Sequence, residues 1–231
     1  MGNNILVVES KNDKFFLNAI IAYLNFDIDI TEPILIEESD YLSMDGLDPT
    51  KLEKALKDLK ADIQKGKINN IGIVIDLDDQ SEENRVAFVN NCLQAVFPVC
   101  QPLLKVNEFI NLNFEDFDVQ LACHFINVNG TGELETVLRS VKSKVSVFAD
   151  CLDSWKDCLQ GQGKTISLKE FNKFWVSMYL RFDTCDDNEK RQAERKCSMK
   201  GFEYVMKEKQ DIWDFENPVL DELKQFLKLF C

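Results

Sequence analysis

Acidic side chains stand at the ends of two apolar runs. The first run, Ile5-Leu6-Val7-Val8, is followed by Glu9 and then Asp13; the second, Ile71-Gly72-Ile73-Val74-Ile75, is followed by Asp76, Asp78 and Asp79. In a parallel α/β sheet the residues just past the strand carboxyl ends face the crevice where ligands bind, so Glu9, Asp13, Asp76 and Asp78 converge if their strands are neighbours. Side chains two apart on extended backbone share a face, which pairs Asp76 with Asp78 and turns Asp79 elsewhere. Crowded carboxylates repel unless a cation lies between them, and an all-oxygen donor set suits Mg²⁺ or Mn²⁺. The first two acids also have a plainer reading: Asp13 suits a helix N-terminus, where negative charge is favoured, and Glu9 could simply be solvated.

The elements that must position these acids are legible as alternating strands and helices. Apolar strands are expected over 4–9, 70–75 and 119–128, with a further short strand over 32–37. Asn12 is expected to cap a helix that carries Phe15, Phe16, Ala19, Ile20 and Tyr23 at helical spacing. Asp48-Pro49 opens a second helix, with Leu52, Leu56 and Leu59 inward and Gly66 as its stop, and Ser81-Glu82-Glu83 opens a third that ends at Phe97-Pro98. The stretch 99–118 lacks a clean period and reads as loops or an edge hairpin. Such alternation implies right-handed crossovers and a mainly parallel sheet.

Beyond Asn129-Gly130-Thr131-Gly132 the strand signals stop, and helices are expected over 133–142, 144–159, 167–182, 187–207 and 218–230. Ser167 and Glu170 have capping-box spacing, and Asn217-Pro218 repeats a cap-plus-proline start. The expected division is an α/β domain over 1–143 and an all-helical C-terminal extension over 144–231 packed on it.

With 231 residues, 45% hydrophobic and 29% charged, the composition is that of a globular protein. No apolar run approaches the roughly 20 residues of a membrane span, and a cytoplasmic location is expected. The net charge of −13 argues against unaided nucleic-acid binding, because phosphate contacts are made chiefly by Lys and Arg. The densest basic segment contains Lys190, Arg191, Arg195, Lys196 and Lys200, where a phosphate contact would be sought. Eight cysteines without a C-x-x-C pair read as reduced, mostly buried thiols. The single His124 reads as a satisfied core residue, and Trp155, Trp175 and Trp213 read as core. Asp183 and Asp186 read as helix-start caps.

The stretch Val8-Glu9-Ser10-Lys11-Asn12-Asp13-Lys14-Phe15-Phe16, with Ile73-Val74-Ile75-Asp76-Leu77-Asp78 after it, resembles the two signature motifs of the TOPRIM domain superfamily. The likeness is nearest to small stand-alone TOPRIM-like proteins and to overcoming-lysogenization-defect nucleases. Gly132-Glu133-Leu134-Glu135 resembles a further Gly-x-x-Glu motif of that branch. The resemblance implies a TOPRIM-like Rossmannoid sheet and metal-dependent hydrolysis of nucleic-acid phosphodiesters. It makes Glu9 a metal ligand or general acid/base, assigns Asp13, Asp76, Asp78 and Glu135 to Mg²⁺ or Mn²⁺, and gives Lys200 a role at the phosphate. Similar small proteins are often paired with ABC-type ATPases in bacterial phage-defence modules, which implies an ATPase partner that delivers DNA or RNA. One departure stands out: the residue after the first Glu is usually Gly and is here Ser10, where a side chain crowds the approach of substrate. That departure, with the acidic surface, leaves a catalytically weak binding module as the alternative. A phospho-receiver domain is a third reading, disfavoured because Asp76 lies too far along the chain.

Overall fold

The computed structural model describes residues 3–31, 48–98, 100–114 and 117–231; the strand expected over 32–37 lies outside them. Strand β1 (Asn3–Val8) leads into helix α1 (Lys11–Leu24) and the short β2 (Asp29–Ile30). Helix α2 (Pro49–Gln64), β3 (Ile68–Asp76) and α3 (Glu82–Val96) follow, then β4 (Ile110–Phe114) and β5 (Phe117–Ile126). Among the described residues these strands form one mixed sheet in the order β2-β1-β3-β5-β4. All neighbours are parallel except β4, an antiparallel edge strand on β5. The register sets Val8 beside Val74 and Asp76 beside Ile126, so β1 and β3 end side by side.

Strand alternation divides the interior into two cores. Val7, Ile71, Ile73 and Ile75 turn toward Leu52, Leu56 and Leu59 of α2 and Val89 and Leu93 of α3. Leu6, Val8 and Val74 turn the other way, toward Phe16 and Ile20 of α1 and the C-terminal helices. Gly72 lies on that second face, where a Cβ would come within 2.3 Å of Leu6 and 3.0 Å of Phe226. Its missing side chain is the seat for the last helix.

The C-terminal part comprises α4 (Leu134–Ser140), α5 (Val147–Gly161), α6 (Leu168–Met178), a π-helical turn over Tyr179–Asp183, α7 (Ala193–Lys196), α8 (Phe202–Glu208) and α9 (Asp221–Lys228). Phe171, Trp175, Val176 and Tyr179 of α6 and the turn are fully buried in the core they share with α1 and β1. Among the described residues no helix is long and apolar enough to cross a membrane.

Several expectations need correction. The continuous helix over 187–207 is broken into α7, α8 and 3₁₀ turns. A Cys185–Cys197 disulfide spans the break, and Gly201 packs so closely on the Arg195 carbonyl that a Cβ would lie 2.0 Å from its oxygen. That bridge also overturns the reading of all cysteines as reduced, and Cys151, Cys158 and Cys231 are exposed, not buried. Trp155 is exposed beside Phe174 rather than core, whereas Trp175 and Trp213 are buried. Asp183 does cap a helix, but one earlier in the chain: its carboxylate accepts from the amides of Phe148 and Ala149 at 2.9 Å.

Candidate functional site

The β1 end is built by Ser10, not Asn12. Ser10 is the N-cap of α1, where its hydroxyl accepts from the Asp13 amide. Its hydroxyl and its amide both donate to Asp13 Oδ2, at 2.7 and 2.8 Å. This reciprocal capping box uses one Asp13 oxygen; the other, Oδ1, is buried without a hydrogen-bond partner among the described residues. Ser10 therefore holds the Asp13 carboxylate in place.

Glu9 lies against the end of β3, accepting from the Asp76 amide at 3.2 Å. Asp76 itself, on the α1 side of β3 by strand parity, buries an unpartnered Oδ1. The strand stops there. Asp78 adopts the left-handed conformation, φ 57°, and exchanges backbone hydrogen bonds at 2.8 Å with Gly132 at the entrance to α4. It comes near Asp76 through that turn and not through continued alternation. Its two carboxylate oxygens are taken by cations: Oδ2 by Arg85 of α3 and Oδ1 by Lys169 of α6, each at 2.8 Å.

Glu135, in the first turn of α4, joins the group as an electrostatic neighbour of Asp13 and Asp76. Glu133, which the sequence motif did not single out, is the more deeply buried, 2% exposed, with Oε1 unpartnered and Oε2 3.6 Å from Lys169. Lys200 is elsewhere: it pairs with Glu194 at 2.7 Å and lines a hollow beyond the far end of α6. The cations at the acids are thus Arg85 and Lys169. Arg85 lies four residues past the Ser81 cap and Lys169 two residues past the Ser167 cap, and no signal near either residue ties it to the acids.

Burial and crowding hold these carboxyls toward the protonated form. Burial, then the Glu9 charge, lifts Asp13 to about 7. Asp76 is raised well above the ordinary range by burial and by Asp13, Glu9 and Asp78. Burial and Asp78 raise Glu9 as well. Burial and Glu135 lift Glu133 to about 7 although Lys169 opposes the shift. Partial burial works against the charge on Lys169, but its hydrogen bond to Asp78 outweighs this and holds its pKa up. By contrast, His124 is kept neutral by burial, at about 4, with Nδ1 2.9 Å from Asn107 Oδ1.

The donor chemistry fits a hard divalent cation. Glu9, Asp13, Asp76 and Glu135 offer only carboxylate oxygens, and orphaned buried oxygens on Asp13 and Asp76 cost free energy that a cation would recover. The site is not drawn tight around an ion. Among the described residues, the only three ligand-type atoms lying within 4.8 Å of one another belong to Cys185, Glu189 and Cys197, whose sulfurs are already joined. Asp78 could serve as a ligand only by giving up a cation it now holds. Beside the acids opens a cavity of about 580 Å³ lined by Arg85, Phe88, Thr131, Glu133, Thr136 and Lys169, among others.

Residues 3–231 match the family model described as a protein of unknown function (DUF3226), and the chain belongs to that family. Neither a curated protein nor a solved structure matches it.

Proposed function

We propose that this DUF3226-family protein is a divalent-cation-dependent phosphodiester hydrolase acting on DNA or RNA, of the TOPRIM type that its two acidic motifs resemble. The reading rests on one observation: buried Glu9 and Asp13 and half-buried Asp76 lie at the ends of adjacent parallel strands, and Asp13 and Asp76 each keep one buried carboxylate oxygen without a hydrogen-bond partner among the described residues. Such an arrangement is costly for the fold alone and is repaid when a cation enters. Glu9, Asp13, Asp76 and Glu135 would hold Mg²⁺ or Mn²⁺. The bound cation supplies Lewis-acid polarisation of a phosphoryl oxygen and a water acidified for attack.

The protein's own groups do the rest. Ser10 fixes Asp13 by two hydrogen bonds, and the Asp76 amide fixes Glu9, so both acids keep their aim. Lys169 and Arg85 carry positive charge at the cavity edge, where a phosphate would meet it. They come from helices packed on opposite faces of the sheet and meet at Asp78. An acidic chain gains little from long-range attraction to a polyanion, so delivery by a partner, of the ABC-type ATPase class in a cytoplasmic defence module, completes the proposal.

A second reading is favoured by Asp78, whose two oxygens are both in ion pairs. With that acid occupied, the crevice would act as a catalytically weak docking module. Calorimetry with Mn²⁺ separates the two: the hydrolase binds it and Asp76→Ala abolishes the binding, whereas the docking module binds none. A cleavage assay with Mn²⁺ on DNA and RNA, with and without partner, should then lose on the order of 10²-fold or more in Asp76→Ala. Unchanged cleavage in that variant would sink the hydrolase.

A further inference from the structure

Lys200 belongs to a second, basic hollow of about 570 Å³ between the π-helical turn and the 190–200 segment. Four cations line it, Arg181, Lys190, Arg191 and Lys200, against one carboxylate, Glu194. In a chain of net charge −13 this is a local reversal of sign. We infer that this hollow is a binding site for a nucleoside monophosphate, with the phosphate on Arg181, Arg191 and Lys200 and the base against Phe182.

Three observations carry the assignment. Arg181 Nη1 is buried with no hydrogen-bond partner among the described residues. A guanidinium nitrogen desolvated and left unmet is costly, and an anionic oxygen is the acceptor that suits it. The turn that places Arg181 and Phe182 is π-helical; such turns are rare and recur at functional sites, because the extra residue costs hydrogen-bond geometry. The opposite wall is held in place by the Cys185–Cys197 disulfide, and Cys197 itself lines the hollow. The tie closes the backbone loop that carries Lys190 and Arg191.

The ligand class follows from the remaining lining. Phe182 is 50% exposed, and Met178 and Met199 lie beside it, so the hollow has an apolar side that inorganic phosphate would leave empty. An aromatic ring next to clustered Arg and Lys is the pairing used to stack a base while holding its phosphate. The ion pairs now present, Lys200 with Glu194 and Lys190 with Asp187, join exposed groups and yield readily to a phosphate. Helix α6, eleven residues and roughly 15 Å long, separates this hollow from the acidic crevice.

Calorimetry on the full chain in EDTA, with no divalent ion to bridge phosphate to the acids, tests the site using AMP, inorganic phosphate and a DNA hexanucleotide. AMP is expected to bind more tightly than phosphate. Arg191→Glu and Lys200→Glu, both at exposed positions, should each weaken AMP by about tenfold or more. Phe182→Ala should weaken AMP by on the order of tenfold while leaving phosphate unchanged. The proposal is overturned if no probe binds saturably, if AMP binds no better than phosphate, or if neither charge reversal matters in protein whose far-ultraviolet spectrum is native. A hexanucleotide bound tenfold more tightly than AMP would also overturn it, by assigning the hollow to a strand. Failure here leaves the Mn²⁺ test of the acidic crevice untouched.

Discussion

Asp13, Asp76, Glu9 and Glu133 give the molecule a measurable signature at the scale of single residues. Asp13 rises from an ordinary 3.8, and Glu133 from 4.5, to about 7 in the fold. Below pH about 4 the folded and unfolded chains both carry these protons. Between about 4 and 7 the unfolded chain has shed protons that the fold retains, so stability falls as pH rises through that window. Thermal or urea unfolding of cation-free protein should show a loss on the order of 2 to 4 kcal/mol from pH 4.5 to 7.5. Asp76→Asn, which removes one crowded charge, should flatten the slope and leave the protein more stable at pH 7.5. A slope that rises with pH, or one that Asp76→Asn leaves intact, would show that the acids are not crowded as described. The acids at the strand ends were legible because two neighbouring parallel strands place the residues after their apolar runs at one edge of the sheet. Arg85, Lys169 and Glu133 were not, since nothing local reveals that helices separated by long stretches of chain will aim them at one carboxylate.

At the scale of elements, Gly72 decides how the sheet is covered. Leu6, Phe226 and Phe230 crowd the place where its side chain would be, the nearest atoms 2.3 to 3.0 Å from an added Cβ. Gly72→Ala must push α9 off the sheet or strain β1, and a destabilisation of about 1 to 3 kcal/mol is expected from chemical denaturation. Little change would mean that α9 shifts freely on the sheet. Strand and helix identities were readable from period and caps: Asp48 accepts from Thr50, Ser81 from Asn84, and Ser167 forms its capping box with Glu170. The 187–207 region misled because its apolar spacing is helical, while the disulfide and the Gly201 contact that break it are set by partners brought in through folding. Ser10 misled in the other direction, for its value as a cap depends on Asp13 answering it.

At the scale of the whole molecule, the C-terminal helices are half of a core and not a cover for a finished one. Phe16, Leu17 and Ile20 of α1 are buried among Trp175, Val205, Phe226 and other residues that come after position 143. A fragment ending at residue 143 would expose that face of the sheet, a large apolar surface that soluble monomers avoid. It is expected to lack a cooperative unfolding transition and to bind a hydrophobic dye. A fragment that melts cooperatively would instead establish 1–143 as a domain in its own right. The net charge of −13 does not describe every surface, because the basic hollow at the far end of α6 carries the opposite sign.

The seat at Gly72 also bears on how quickly the protein folds. Asn4 in β1 hydrogen-bonds to the carbonyl of Phe230, 226 positions away, and Phe230 reaches the same sheet face as Phe226. Closing so long a loop costs entropy before any contact compensates for it. Docking of α9 is therefore expected late, after the parallel strands have registered. The cost of Gly72→Ala should then appear mainly as faster unfolding, with the refolding rate almost unchanged.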